Sequence, residues 1–369
     1  MRRGYLLLAL APLLALGGSP AELVVRVQEG PALPYGFYNA AAATDGEWIY
    51  VVGGQDNDDY EADLESAFRI HPESGEVQEL PDLPYGVDAA GLACLDGFLY
   101  VAGGGTRGAI IANAARLDLT AEDPTWESIE HMYVPRRGHQ LVVLDGALVA
   151  IGGNYYPGRR PLPIPQVCDL HEPDKGDNET FLDMCTPAYS ESYDPVADEW
   201  AEFPEAELLI PRNTLGVAVA DGYLVALGGT ALGRDADAEL GPAELGEVLS
   251  PGASGMAFTS EAPLPMSSGQ ATSLGGVAWF YSFPGGELPA RLLGYVPAED
   301  RWAAADLDIT IHTTSFVGVG DRLWIVGGLD QATDQQVTRL WSLQAELQPA
   351  VGGGCGGHLD AERGWSGAP

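Results

Sequence analysis

The stretch DGFLYVAGG, residues 96–104, consists of a turn dipeptide, an apolar run and two glycines. It returns as GEWIYVVGG ending at Gly54, DGALVAIGG at Gly153, DGYLVALGG at Gly229, GGVAWFYSFPGG at Gly286 and DRLWIVGG at Gly328. Successive second glycines stand 50, 49, 76, 57 and 42 residues apart. Six copies at this spacing, two of them enlarged, make internal repetition the organising fact of the chain.

Each part of the repeat has a physical reason. Asp45-Gly46, Asp96-Gly97, Asp145-Gly146 and Asp221-Gly222 stand between two apolar runs, which predicts tight hairpins with positive φ at both central residues. The run after each turn is almost unbroken, so both faces of that strand must be covered, as they are when sheets stack radially. The paired glycines then allow a close backbone approach where a Cβ would collide. Further on, Tyr193 precedes Trp200 by seven residues and Tyr295 precedes Trp302 by seven. The same offset separates Leu119 from Trp126, Ile70 from Val77 and Leu249 from Met256, with turn formers between each pair.

The apolar run, double glycine and spaced Tyr and Trp together resemble the kelch repeat, over nearly the whole mature chain and most specifically in copies two, three and five. The resemblance implies an all-β fold, a six-bladed kelch β-propeller with four-stranded antiparallel blades. No strand-like run follows VTRLWSLQ at 337–344, whereas ELVVRVQEGPALP at 22–34 looks like an outermost strand. Leu23–Val27 are therefore expected to complete the last blade and remove two exposed sheet edges. Residues 1–21 read as a secretory signal peptide: Arg2 and Arg3, an apolar stretch too short to span a bilayer, and a small-residue exit. The propeller is expected over 22–348, with an insertion at about 154–189 in the third blade, and a glycine-rich flexible tail over 349–369.

Composition narrows the partners. The formal charge is −35, with 53 acidic against 18 basic residues, and loss of Arg2 and Arg3 deepens it. Nucleic acid and anionic membranes both require Lys and Arg to neutralise phosphate, so neither is expected as a partner. A secreted or periplasmic monomer is the expectation. Cys168 and Cys185 bracket the insertion and are expected to form a disulfide. Cys94 lies in GLACLDG and reads as a buried thiol.

The segments leading into the innermost strands should surround one mouth of the central channel. They contribute Arg136, Arg137 and Arg212, and the loop after Gly153 adds Arg159 and Arg160. A guanidinium fork suits a carboxylate, so the first three are the candidate anion anchors. Tyr35, Tyr38 and Tyr85 are candidate flat surfaces for a sugar, and His139 and His312 candidate polar groups of the mouth. No cofactor is expected. The one metal reading left open is calcium on Asp56, Asp58 and Asp59, although the stretch fails as an EF-hand at Tyr60, Glu61 and Ala67. Hydrolase and zinc motifs are absent from the sequence.

ELPDLPYGVDAAGLACLDGFLYVAGG and ESYDPVADEWAEFP also resemble the exported bacterial kelch family that includes N-acetylneuraminate epimerase, a sialic acid mutarotase. The resemblance implies a glutamate after a double glycine and an arginine beyond it. GGTALGRDADAEL at 228–240 places Arg234 suitably but Thr230 at the glutamate position, leaving Asp235, Asp237 or Glu239 as substitute bases if the loop folds them inward. The sequence therefore favours a module binding a glycan, an acidic sugar or a protein partner, with a sugar mutarotase as the alternative.

Overall fold

The computed structural model describes residues 23–347, apart from 57–58, 158–161, 171–181, 232–244, 265, 267–268 and 284–288. Six four-stranded antiparallel sheets follow one another along the chain as the blades of a β-propeller. Blade two is typical, with strands Gly91–Leu95, Phe98–Ala102, Ala114–Asp118 and Trp126–Ile129 from the innermost outward. The innermost strands Ala41–Thr44, Gly91–Leu95, Arg137–Leu144, Gly216–Ala220, Gln270–Leu274 and Ser315–Val319 touch in that order, and the last touches the first.

The unbroken apolar runs follow from this arrangement. In blade two Leu99 and Val101 pack with Tyr50 and Val52 of blade one, while Tyr100 and Ala102 pack with Leu148 and Ala150 of blade three. Alternate side chains of one strand thus serve two different cores, and neither face can be polar.

The double glycine is the joint between neighbours. The N–H of Gly104 donates to the Arg136 carbonyl at 2.6 Å, and Gly54, Gly153 and Gly328 do the same to Val87, Arg212 and Phe37. A Cβ at Gly103 would stand 2.6 Å from that same Arg136 oxygen, so the next blade's lead-in segment sits where a side chain would be. Both glycines have positive φ, at 65° and 101°.

Asp96 and Gly97, with φ of 49° and 82°, turn as expected, and so do Asp145-Gly146 and Asp221-Gly222. Blade one departs. Asp45 has no positive φ; its Oδ1 accepts the N–H groups of Glu47 and Trp48 at 2.9 and 2.8 Å, which stabilises a longer loop before Ile49.

In the two Tyr–Trp pairs the seven-residue spacing builds a cross-blade clasp. Tyr193 lies opposite Trp200 and Tyr295 opposite Trp302. The indole N–H of Trp200 donates to the Glu130 carbonyl at 2.8 Å, while Asp198, held by the Tyr193 hydroxyl, accepts the N–H of Glu130 at 2.9 Å. Asp300, Tyr295 and Trp302 grip Ser260 in the same way. Both backbone groups of one residue in the preceding blade are thereby satisfied. In blade two Trp126 reaches the carbonyl of Pro81, a residue with no N–H to offer. Its strand partner is Leu117, not Leu119 as the spacing suggested, because the turn there is two residues longer.

Leu23–Ala32 pairs antiparallel with Arg339–Leu347 as the outermost strand of blade six, running five residues beyond the expected Val27 past a register shift between Glu29 and Ala32. In blade three, Gln166–Leu170 and Leu182–Pro187 form an extra hairpin bridged by the Cys168–Cys185 disulfide, and Val134, Tyr155 and Cys185 form a small core beside it. Cys94 is a free thiol, pushed well above the ordinary range by burial. No helix among the described residues is long and apolar enough to cross a membrane.

Hydrogen bonds from Glu130, then Tyr193, hold the Asp198 carboxyl below the usual carboxylate range. A lowered native value means that the ionised group stabilises the fold above the ordinary pKa, and that this is lost as pH falls through the lowered one. Trp200→Phe should lower stability by about 1 kcal/mol, and Asp198→Asn should lower Tm at neutral pH. The Asp198→Asn deficit should shrink below about pH 4 in thermal scans; an undiminished deficit would refute the clasp's dependence on charge.

Candidate functional site

Where the chain turns into the innermost strands of blades one, two, three, four and six, one residue adopts the left-handed conformation. These are Asn39, Ala89, Gly138, Thr214 and Thr313, with φ between 46° and 63°. Their backbones are chained around the axis. Asn39 donates to the Thr313 carbonyl at 3.0 Å, Ala89 to Asn39 at 2.8 Å, Gly138 to Ala89 at 3.0 Å, Thr214 to Gly138 at 2.9 Å and Gly269 to Thr214 at 3.0 Å. β-Branched threonine is strained in this region, so Thr214 and Thr313 are held there by their surroundings at a local cost of about 1–3 kcal/mol.

Inside this collar lies a cavity of about 180 Å³ on the channel axis. Asn39, Gln140, Thr214 and Gln270 bring hydrogen-bonding side chains from four blades. His312 and Phe283 bring a flat surface, stacked at 5.7 Å and 22°. Burial lowers the His312 pKa against the opposing pull of Asp334 and Asp330, so the ring is neutral near pH 7 and can both donate and accept.

One position before the collar these five blades each offer a rim residue: Tyr38, Asp88, Arg137, Asn213 and His312. Each bridges to the residue following its own double glycine, namely Gln55, Gly105, Asn154, Thr230 and Leu329. Five different chemistries thus occupy one register. Arg137 donates through Nε to Asp88 Oδ1 at 3.1 Å and through Nη2 to Oδ2, with Asp88 3% and Arg137 37% exposed.

The other two arginines expected as anion anchors do not reach the mouth. Arg136 is fully buried, paired with Glu191 at 3.2 Å, and donates to the carbonyls of Gly152 and Tyr189. Arg212 is equally buried against Glu247 and donates to the Gly228 and Leu245 carbonyls. Each glutamate also accepts two backbone N–H groups, of Tyr133 and Val134 or of Leu209 and Ile210. These pairs pin the crossing between blades and leave no guanidinium for a ligand. The blade-one and blade-two residues in the same register, Phe37 and Val87, are apolar and buried, which marks the position as interior.

Tyr35 and Tyr85 also lie off the cavity. The Tyr35 hydroxyl donates to Ser66 at 2.6 Å, and its ring meets Phe37 and Phe68 edge-on; Tyr85 rests on the core between blades one and two. Tyr38 is buried at the rim. His139 borders the cavity, but its ring is wedged between blades over Gly91 and Gly103, and neither ring nitrogen has a hydrogen-bond partner in the described structure. Burial, reinforced by the Arg136 charge, pushes its pKa down to about 3. Arg159, Arg160, Arg234, Asp235, Asp237, Glu239 and Asp58 lie outside the described residues. Asp56 accepts from Gln336 Nε2 at 3.3 Å, and no group of three His, Cys, Asp or Glu among the described residues is placed to hold a metal.

Sequence reasoning missed Asn39, Gln140, Gln270 and Phe283. The signal was the fixed distance from the inner hairpin turn back to the collar, seven residues in blades two, three, four and six. It also sought a glutamate after a double glycine only at Thr230, although Glu287 directly follows Gly285-Gly286 outside the described residues.

Arg212→Ala strands a fully enclosed carboxylate and should cost about 3–5 kcal/mol in denaturant unfolding, whereas Arg137→Ala removes a 37% exposed guanidinium and opens Asp88 to water, so it should cost less. Equal losses would contradict the division of roles. Leu215 occupies in blade four the register of His139. His139→Leu should therefore leave Tm unchanged or raise it; a fall worth more than about 1 kcal/mol would reveal an unseen partner for the imidazole.

The family model for the Kelch motif matches residues 36–84, which span blade one and the crossing toward blade two. With the antiparallel four-stranded blades, this match fits the chain as a kelch-type β-propeller, an architecture that serves as a binding and interaction module.

Proposed function

We propose that the chain is an exported binding module that holds a glycan at the channel mouth. The observation that carries this reading is the cavity itself: amide and hydroxyl side chains from several blades converge around the His312–Phe283 stack. Sugars need this combination, a flat apolar surface for the ring face and fixed donors and acceptors for the hydroxyls. Strain at Thr214 and Thr313 is the kind of outlier that concentrates at binding sites. The disulfide in the third blade accords with an oxidising compartment outside the cytoplasm. Among the described residues that line the cavity none is a carboxylate, and we place binding ahead of the mutarotase alternative.

Saturation-transfer NMR of the purified mature chain against released oligosaccharides should show contact with at least one glycan. His312→Ala and Asn39→Ala should each weaken it about tenfold with Tm preserved, the loss expected for one hydrogen bond or stacking contact in a desolvated site. Absence of binding, or binding indifferent to both substitutions, would overturn the reading. Faster α-to-β exchange of N-acetylneuraminic acid would instead establish catalysis.

A further inference from the structure

We propose, resting on the glycan reading, that the mouth selects an uncharged, hydroxyl-rich ligand over an acidic one, and that Asp88 sets this selectivity by cancelling Arg137. Charged residues make up 19% of the chain, yet no Asp, Glu, Arg or Lys is among the described residues that line the cavity. Of the five described rim positions two are charged, and those two are spent on each other.

The pairing is built into the blade. Asp88 is buried beneath the guanidinium and takes its fork with both carboxylate oxygens. Gly105, the residue that bridges to Asp88, leaves room for it: a Cβ there would collide with Asp88 Oδ1 and stand 3.0 Å from Arg137 Nε. A ligand carboxylate would have to displace a preorganised partner and leave a buried anion beside its own charge, which costs more than one new ion pair returns. Arg136 and Arg212 offer no substitute because their own glutamates hold them in the interior. The surrounding field of a chain with net charge −35 adds long-range repulsion of anions. An uncharged sugar meets none of these penalties and keeps the amide, hydroxyl and imidazole contacts.

The test is calorimetric titration of the full mature chain with two matched pairs, D-glucose against D-glucuronate and D-galactose against D-galacturonate, at neutral pH and low salt. In whichever pair binds, the neutral sugar should bind at least tenfold more tightly. Asp88→Asn, which keeps the shape but frees the guanidinium, should raise uronate affinity at least tenfold and change the neutral sugar by less than threefold. Arg137→Gln, which removes the guanidinium, should show no such gain in uronate affinity. A uronate bound as tightly as its neutral partner by the unsubstituted chain overturns the inference and leaves the glycan reading standing, as does a folded Asp88→Asn with no gain. If neither pair binds, this inference falls; the glycan reading is judged separately by the oligosaccharide NMR.

Discussion

The propeller depends on one contact that leaves no room for a side chain: at each described double glycine, the lead-in segment of the next blade crosses it. The carbonyl of Arg136 lies where a Cβ of Gly103 would be, and the N–H of Gly104 binds it. This fixes the spacing between adjacent inner strands, so alternate side chains of a second strand can fill two cores at once. It also sets the height at which the chain turns into the next innermost strand. The collar of left-handed residues follows from that height, and the cavity follows from the collar.

Around this joint the outer parts of the blades are held unevenly. The Asp–Tyr–Trp clasp binds blade three to blade two and blade five to blade four, and the Trp126 bond to Pro81 is a half version of it. The buried Arg136–Glu191 and Arg212–Glu247 pairs act within blades three and four, tying the crossing segment to the third strand. Two buried ion pairs add little net stability over apolar replacements. What they add is direction, since each glutamate also fixes two backbone N–H groups that would otherwise be unsatisfied in the interior.

The fold was legible in the sequence because it is written six times, and each repetition of turn, apolar run and double glycine has a local physical cause. The N-terminal outer strand and the third-blade disulfide were legible for the same reason: an incomplete last repeat and two cysteines flanking an insertion. The candidate site was less so. Arg136 and Arg137 are adjacent and of one type, yet in extended chain they point to opposite sides, one inward to Glu191 and one outward to the rim. Their partners lie 55 and 49 residues away, beyond any local pattern. Aligning the lead-in segments by register would have separated them, because Phe37 and Val87 declare the Arg136 position apolar. Leu119 was misassigned for a smaller reason, a turn two residues longer than its counterparts.

The strand Leu23–Ala32 carries a consequence for how the molecule comes to be folded. It precedes every other described strand, its partner Arg339–Leu347 follows them all, and Leu23 pairs with Leu347 across more than 300 residues. Loop closure over such a length is entropically slow, and until it happens the strand exposes Val25 and Val27 with an unpaired edge. The earlier blades can assemble in order as they appear, each docking on the glycines of the one before. The final blade must instead wait for both of these strands, so the vulnerable interval for aggregation or proteolysis belongs to Leu23–Ala32, and loss of either strand would lengthen it indefinitely.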